Sequence, residues 1–387
     1  MPAIYFDNSA TTKPYPEVTN KVVKMLTNTY GNPSSLHRLG KESKMEIETA
    51  RQIIADSLDV NSDEIYFTSG GTEANNLAIK GACLANSQHG NHIVTTAAEH
   101  PAVTKAIRDL KKQGWIVTYI EAPNGELDIE ALEHAVNEKT VLVSAMLVNN
   151  EIGSIFPIEK IKQIIQQKQS PAIVHCDAVQ GYGKLHFTAA SLGADLISIS
   201  AHKIHGPKGV GALYVKKGIK MFSMNLGGGQ ERGLRSGTEN TPFIAAFGEA
   251  VRITFANRKK DVAHMITLRD YCLEAITRSI PEVMIHSSQQ GAPHIAHFSL
   301  PGVHNKKVIE FLDSMNIYIS SAAACKSNHS RGPSVLESLG LSRSIAECAL
   351  RVSFSYMNTK KEIDLFVETL VDYYRQEHIG IKQKPYE

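Results

Sequence analysis

From about residue 60 to residue 215, short apolar runs of strand length alternate with amphipathic segments of helical period. The strand-like runs fall at 64–69, 92–96, 115–120, 141–148, 172–176, 196–200 and 210–215. Apolar residues at helical spacing occupy 73–84, 101–113, 128–137 and 158–167. Runs apolar along almost their whole length, such as Leu196-Ile197-Ser198-Ile199, suit strands covered on both faces. The alternation predicts an α/β fold: a mainly parallel sheet flanked by helices. A long helical pattern over 243–280 leads into a second region, with strands expected at 296–300, 317–320 and 350–355 and helices at 306–315 and 361–375. The chain therefore reads as a large α/β domain followed by a smaller α+β domain, without repeats or a low-complexity linker.

Composition narrows the function classes. With 387 residues, 42% hydrophobic and 21% charged, the chain can bury a large core. A net charge of +2 with no dense basic cluster gives no reason to expect nucleic acid or a membrane as a direct partner. The first residues lack a basic-then-apolar leader pattern, and no run of 18 apolar residues occurs, so the expected location is cytoplasmic. The five cysteines form no Cys-x-x-Cys pair, so neither a disulfide framework nor a metal site is expected. Cys83, Cys272 and Cys348 fall in helical patterns and Cys176 in an apolar run. Cys325 differs, because it opens into the polar, basic stretch Lys326-Ser327-Asn328-His329-Ser330-Arg331-Gly332-Pro333, a setting that favours an exposed thiolate.

Candidate chemistry gathers where the expected strands end, the edge at which parallel sheets bind ligands. Ser200-Ala201-His202-Lys203-Ile204-His205-Gly206-Pro207 carries an amine out of a buried strand, where desolvation and neighbouring imidazoles can lower its proton affinity enough for attack on a carbonyl. The plainer reading is a surface lysine on a loop. Thr68-Ser69-Gly70-Gly71-Thr72 runs from a strand into a helix and suits an anion, or else is a tight turn capped by Thr72. No G-x-G-x-x-G fingerprint is present, which weakens a dinucleotide reading. Asp177 can hold a heteroaromatic nitrogen protonated. His100 can stack on a ring, accept a proton or close a turn, and Asn149-Asn150 can bind substrate or do the same.

These segments occur in a recognisable order. Asp7-Asn8-Ser9-Ala10-Thr11-Thr12, Thr68-Ser69-Gly70-Gly71-Thr72-Glu73-Ala74-Asn75-Asn76, Asn149-Asn150-Glu151-Ile152-Gly153, Asp177-Ala178-Val179-Gln180, the Lys203 segment and Arg235-Ser236-Gly237-Thr238-Glu239-Asn240 together resemble the motif series of the class V aminotransferase group, and more narrowly of NifS/IscS-type cysteine desulfurases. The resemblance extends to about Arg351. It implies pyridoxal 5′-phosphate (PLP) fold type I, with a large domain over 15–255 and a small domain built from 1–14 and 256–387 that carries the Cys325 loop. It implies PLP on Lys203, Asp177 against the ring nitrogen, Gln180 at the ring hydroxyl and His100 on the ring face. Gly71, Thr72, Ser200 and His202 would hold the phosphate, with Thr238 reaching it from the other subunit of a homodimer. Asn150 and Arg351 would bind the substrate, L-cysteine. Cys325 would accept its sulfur as a persulfide and pass it to an acceptor protein, for iron–sulfur cluster assembly or for tRNA or cofactor thiolation. A selenocysteine lyase or a PLP aminotransferase would share every cofactor residue, and Cys325 is what favours sulfur transfer. The chain departs from the family before that cysteine, where Ala322-Ala323-Ala324 replaces the usual Gly-Ser-Ala.

Overall fold

The computed structural model describes residues 3–321 and 335–382. Strand β1 (Ile4–Tyr5) opens the described chain. The large sheet follows with β2 (Ile65–Thr68), β3 (His92–Thr96), β4 (Ile116–Ile120), β5 (Thr140–Met146), β6 (Ile173–Asp177), β7 (Leu196–Ser200) and β8 (Gly211–Val215). Their order is β2-β8-β7-β6-β5-β3-β4. Strands β3 to β7 run parallel, while β8 is antiparallel to both its neighbours. The continuous burial of β3, β5, β6, β7 and β8 has its cause in two apolar layers. One face packs on Ile54, Leu58, Ile161 and Phe247, and the other on Leu77, Ile79, Ile107 and Leu110.

Each region read as helical or strand-like between residues 60 and 215 contains the expected element, with ends moved by a few residues. The 73–84 segment is an exception in detail, because Gly71–Asn76 passes through a π-helical turn, Leu77–Gly81, before Ala82–Ala85. Two further helices, Pro16–Thr27 and Arg38–Leu58, precede the sheet.

The long helix Thr241–Ser279 joins two cores. Ile244, Phe247 and Val251 enter the large core, and Met265, Leu268, Cys272 and Ile276 enter a second one. Gly248 permits the close crossing with Arg38–Leu58, since a Cβ there would lie 2.7 Å from the Cα of Ala50. Beside β9 (Met284–Ile285), whose two residues are exposed at the sheet edge, the second core collects Ile4 and Phe6 with β10 (Ile295–Ser299), β11 (Ile317–Tyr318), β12 (Ala349–Ser353) and the helices Asn305–Ser314 and Lys360–Lys382. Here β10 pairs antiparallel with β12 and β9, and β1 pairs parallel with β11. Cys348 lies in the turn before β12 rather than in a helix. No described helix is long and apolar enough to cross a membrane.

Candidate active site

The carboxyl ends of β3, β5, β6 and β7 open onto one cavity of about 360 Å³. Ten of the residues picked out in the sequence line it: Gly71, Thr72, His100, Asn150, Asp177, Gln180, Ser200, His202, Lys203 and Arg351. They come from five loops of the large sheet and, through Arg351, from β12 of the small one. Thr238 lies exposed elsewhere in this single chain. Cys325 lies outside the described residues, although Ser320 and Ser321, just before them, line the cavity.

Lys203 is delivered by a short turn, Ala201–Lys203, directly after β7. Its Nζ donates to the carbonyls of Ser9 at 2.6 Å and Ala10 at 2.7 Å. Its own carbonyl accepts from Lys184 Nζ at 2.9 Å. Asp177 ends β6 almost fully buried; Oδ2 accepts from Asn75 Nδ2 at 2.7 Å and Oδ1 from the Val179 N–H at 3.1 Å. No cation stands within ion-pair distance of it among the described residues. A buried carboxylate held by neutral donors and facing a cavity is suited to a positively charged ligand group.

The imidazoles do not supply that charge. His100 caps helix Pro101–Lys112, its Nδ1 accepting from the Ala102 N–H at 3.1 Å, which leaves the ring proton on Nε2. Burial lowers its proton affinity, Asp177 raising it and Lys203 lowering it further. His202 is pulled down to about 4, by burial first and then by Lys203, Lys208 and Lys184. Both rings are therefore neutral at pH 7. Behind His100, Glu99 is buried, with Thr96 Oγ1 at 2.7 Å and the Met146 N–H at 2.8 Å donating to Oε1. Burial pushes its carboxyl up to about 8.

Arg351 closes the small-domain side. Nη1 donates to the Asn150 carbonyl at 2.7 Å and Nη2 to Asp7 Oδ1 at 3.0 Å, whereas the buried Nε has no partner among the described residues. Gln180 donates from Nε2 to the Ser9 carbonyl at 2.9 Å, and its Oε1 accepts from His294 Nε2 at 3.3 Å.

These residues fit PLP. Ser200 Oγ is buried without a partner beside Gly71, where a Cβ would lie 2.8 Å from Val179 Cγ2. A hydroxyl lacking a partner and a backbone that admits no side chain form a cradle for a phosphate, and the Asp177 carboxylate suits a protonated ring nitrogen. Asp7, Ser9, Ala10, Asn75, Glu99 and Lys184 also belong to the surroundings of this cavity. Ser9 and Ala10 act through backbone carbonyls, which their side chains do not announce. Asn75 could have been found, since in the helix after Gly70-Gly71 it lies one turn beyond Gly71.

The sequence profile of the class-V aminotransferases matches residues 4–366. A cysteine desulfurase IscS of Clostridium botulinum is 38% identical over 371 residues, covering 95% of this chain and 93% of its own length. A solved NifS-like protein superposes with a TM-score of 0.90 at 35% identity, covering 96% of this chain and 99% of its own. A structure of SspA in complex with cysteine gives a TM-score of 0.80 at 30% identity over 92% of this chain and all of its own.

Proposed function

The chain belongs to the class-V aminotransferase family, and from that premise we propose how its cavity performs PLP-dependent cysteine desulfuration. The enzyme converts L-cysteine to L-alanine and retains the sulfur. The observation that carries the residue assignments is one cavity holding the Lys203 amine, the Asp177 carboxylate and the Arg351 Nε, the last two without a cation and a hydrogen-bond partner respectively among the described residues.

When bound, PLP supplies a carbonyl carbon for amines and a ring that accepts the electron pair left on the substrate α-carbon. Lys203 Nζ would hold that carbon and, once free, would move the substrate α-proton. Asp177 would keep the ring nitrogen protonated, with Asn75 fixing the carboxylate. Gln180 would donate to the ring hydroxyl, and the His100 imidazole would stack on the ring. Gly71, Thr72, Ser200 and His202 would hold the phosphate. Arg351 uses Nε together with an Nη proton to grip the substrate carboxylate, while Asn150 orients the substrate beside it. Cys325 as thiolate attacks the substrate sulfur. An S–S bond forms as the C–S bond breaks, and its electron pair stays with the carbon skeleton, which takes up a proton and leaves as alanine. Cys325 is four residues beyond Ser321, a tether of at most about 14 Å from the cavity rim.

We extend the reading to assembly and setting. The chain is read as a homodimer in which Thr238 reaches the partner's phosphate site; the exposure of Leu36 (88%), Leu226 (88%), Tyr30 (69%) and Phe222 (57%) supports a covered surface. The small domain is read as 1–14 and 256–387, supported by the separate core around Ile4, Phe6 and β10. A cytoplasmic setting is supported by the four described cysteines being free thiols. The sulfur acceptor is a further protein, serving iron–sulfur cluster assembly or thiolation.

Borohydride reduction followed by peptide mapping tests the reading: the pyridoxyl group is expected on Lys203, and one turnover with L-cysteine adds a sulfur to the Cys325 peptide. An adduct on Lys208, or alanine release without a Cys325 persulfide, refutes it.

A further inference from the structure

Lys184 is a buried cation at the back of the site, and the mechanism above gives it no task. It is 7% exposed, and among the described residues no carboxylate lies within ion-pair distance of it. Among the described residues its one hydrogen bond is the 2.9 Å donation to the Lys203 carbonyl. A single carbonyl offsets little of the cost of burying an ammonium. Its surroundings deepen the puzzle. Lys203, His202 and His205 face it from the turn after β7, and His294 from the start of β10. Arg258 and Asp261 of the long helix, with Tyr15 and Tyr356, share its small rear cavity. Each of the three histidines is held neutral by burial, and Asp261 makes no ion pair with Lys184. The like charge that acts on it is that of Lys203.

We propose that Lys184 is the positioning residue for Lys203, anchoring its main chain by the carbonyl and keeping a positive charge behind its side chain so that Nζ is released as a free amine. The anchor acts on the three-residue turn Ala201–Lys203, whose carbonyl direction sets where Lys203 points. The charge acts against the two carbonyls of Ser9 and Ala10, which would otherwise favour the ammonium form of Nζ. Burial and Lys203 together pull Lys184 down to about 7, so its charge is substantial at neutral pH and fades above it. A second cation beside a Schiff-base lysine is a known physical means of lowering its proton affinity.

The inference rests on Lys203 carrying the cofactor, and its test keeps the two apart. In the loaded enzyme, the absorbance of the Lys203-bound cofactor is titrated against pH for the wild type, Lys184→Met, Lys184→Gln and Lys184→Arg. Both neutral variants are expected to move the midpoint upward by about one unit or more, the scale on which a nearby charge shifts a neighbour. Lys184→Arg, which stays charged, is expected to hold the midpoint at or below that of the wild type. A purely structural role would alter thermal stability and leave the midpoint in place. Unchanged midpoints in both neutral variants, with borohydride still trapping the cofactor on Lys203, overturn the inference. An adduct on another residue overturns the Lys203 assignment instead.

Discussion

Replacing Glu99 by Gln isolates a proton that the fold has taken into its interior. Glu99 is 1% exposed; its Oε1 accepts from Thr96 and the Met146 N–H, and its Oε2 has no partner. Two donors do not replace the lost hydration of a full charge, and the nearby Asp177 carboxylate opposes ionisation as well, so the carboxyl titrates at about 8 instead of 4.5. The raised value fixes the sign. Between these limits the native state keeps a proton that the unfolded chain has released. The contribution of Glu99 to stability is therefore complete below pH 4.5 and falls away as pH rises to about 8. The slope is about 1.4 kcal/mol per pH unit, on the order of 5 kcal/mol across the interval. Gln keeps the oxygen that Thr96 and Met146 donate to and cannot ionise. Urea denaturation of both proteins in cofactor-saturating buffer from pH 5 to pH 8.5 should thus show Glu99→Gln gaining on the wild type by several kcal/mol toward the alkaline end. A difference that stays flat, or that grows toward acid, would refute a protonated Glu99.

Arg351→Lys should raise the KM for L-cysteine roughly tenfold or more with a smaller change in kcat, because a point charge cannot replace the paired N–H donors; charge-assisted bonds are worth about 1.5–3 kcal/mol each. Steady-state kinetics checks it. Cys325→Ser should still bind cofactor and substrate yet form no persulfide in one turnover, which mass spectrometry reads directly. Thr238→Val should weaken PLP retention more than it weakens dimerisation, measured by cofactor release alongside sedimentation; a monomer at full activity would defeat the shared-site reading.

Apolar runs and their spacing made most elements of the large sheet legible, because burial on both faces leaves continuous Val, Ile and Leu segments such as Ile197 and Ile199. The direction of β8 was less visible than its existence. Only ten residues separate Ser200 from Gly211, and they hold the Lys203 turn and no crossover helix, so β8 must return antiparallel. Helices Pro16–Thr27 and Arg38–Leu58 escaped a reading centred on the alternation that follows them, because the first buries Val18 and Met25 alone and the second spends Gly40, Ser43 and Arg51 on its buried face. The cavity's titratable side chains stood out because strand ends concentrate them. What did not stand out acts through the backbone or from afar. Ser9 and Ala10 contribute carbonyls, and Lys184, in a Gly-Tyr-Gly-Lys sequence that looks like an open turn, is buried by segments far along the chain.

The joining of β1 to β11 carries a consequence for the order of events at the ribosome. Asp7 meets Arg351 across 344 positions of sequence, and Asn8 meets Ser353 across 345. Ser9 and Ala10, just beyond, are the carbonyls that seat Lys203. At about 5–20 residues per second, the large sheet can assemble during synthesis well before β11 and β12, the small-domain partners of its N-terminal strap, have been made. Until then the strap is held by its large-domain contacts, Gln180 to the Ser9 carbonyl and Thr12 to the His202 carbonyl, without its anchor at Arg351 and Ser353. A nascent chain stalled before β12 would own the sheet and Lys203 but lack the Arg351 side of the cavity, so the site stays open until the chain is nearly finished.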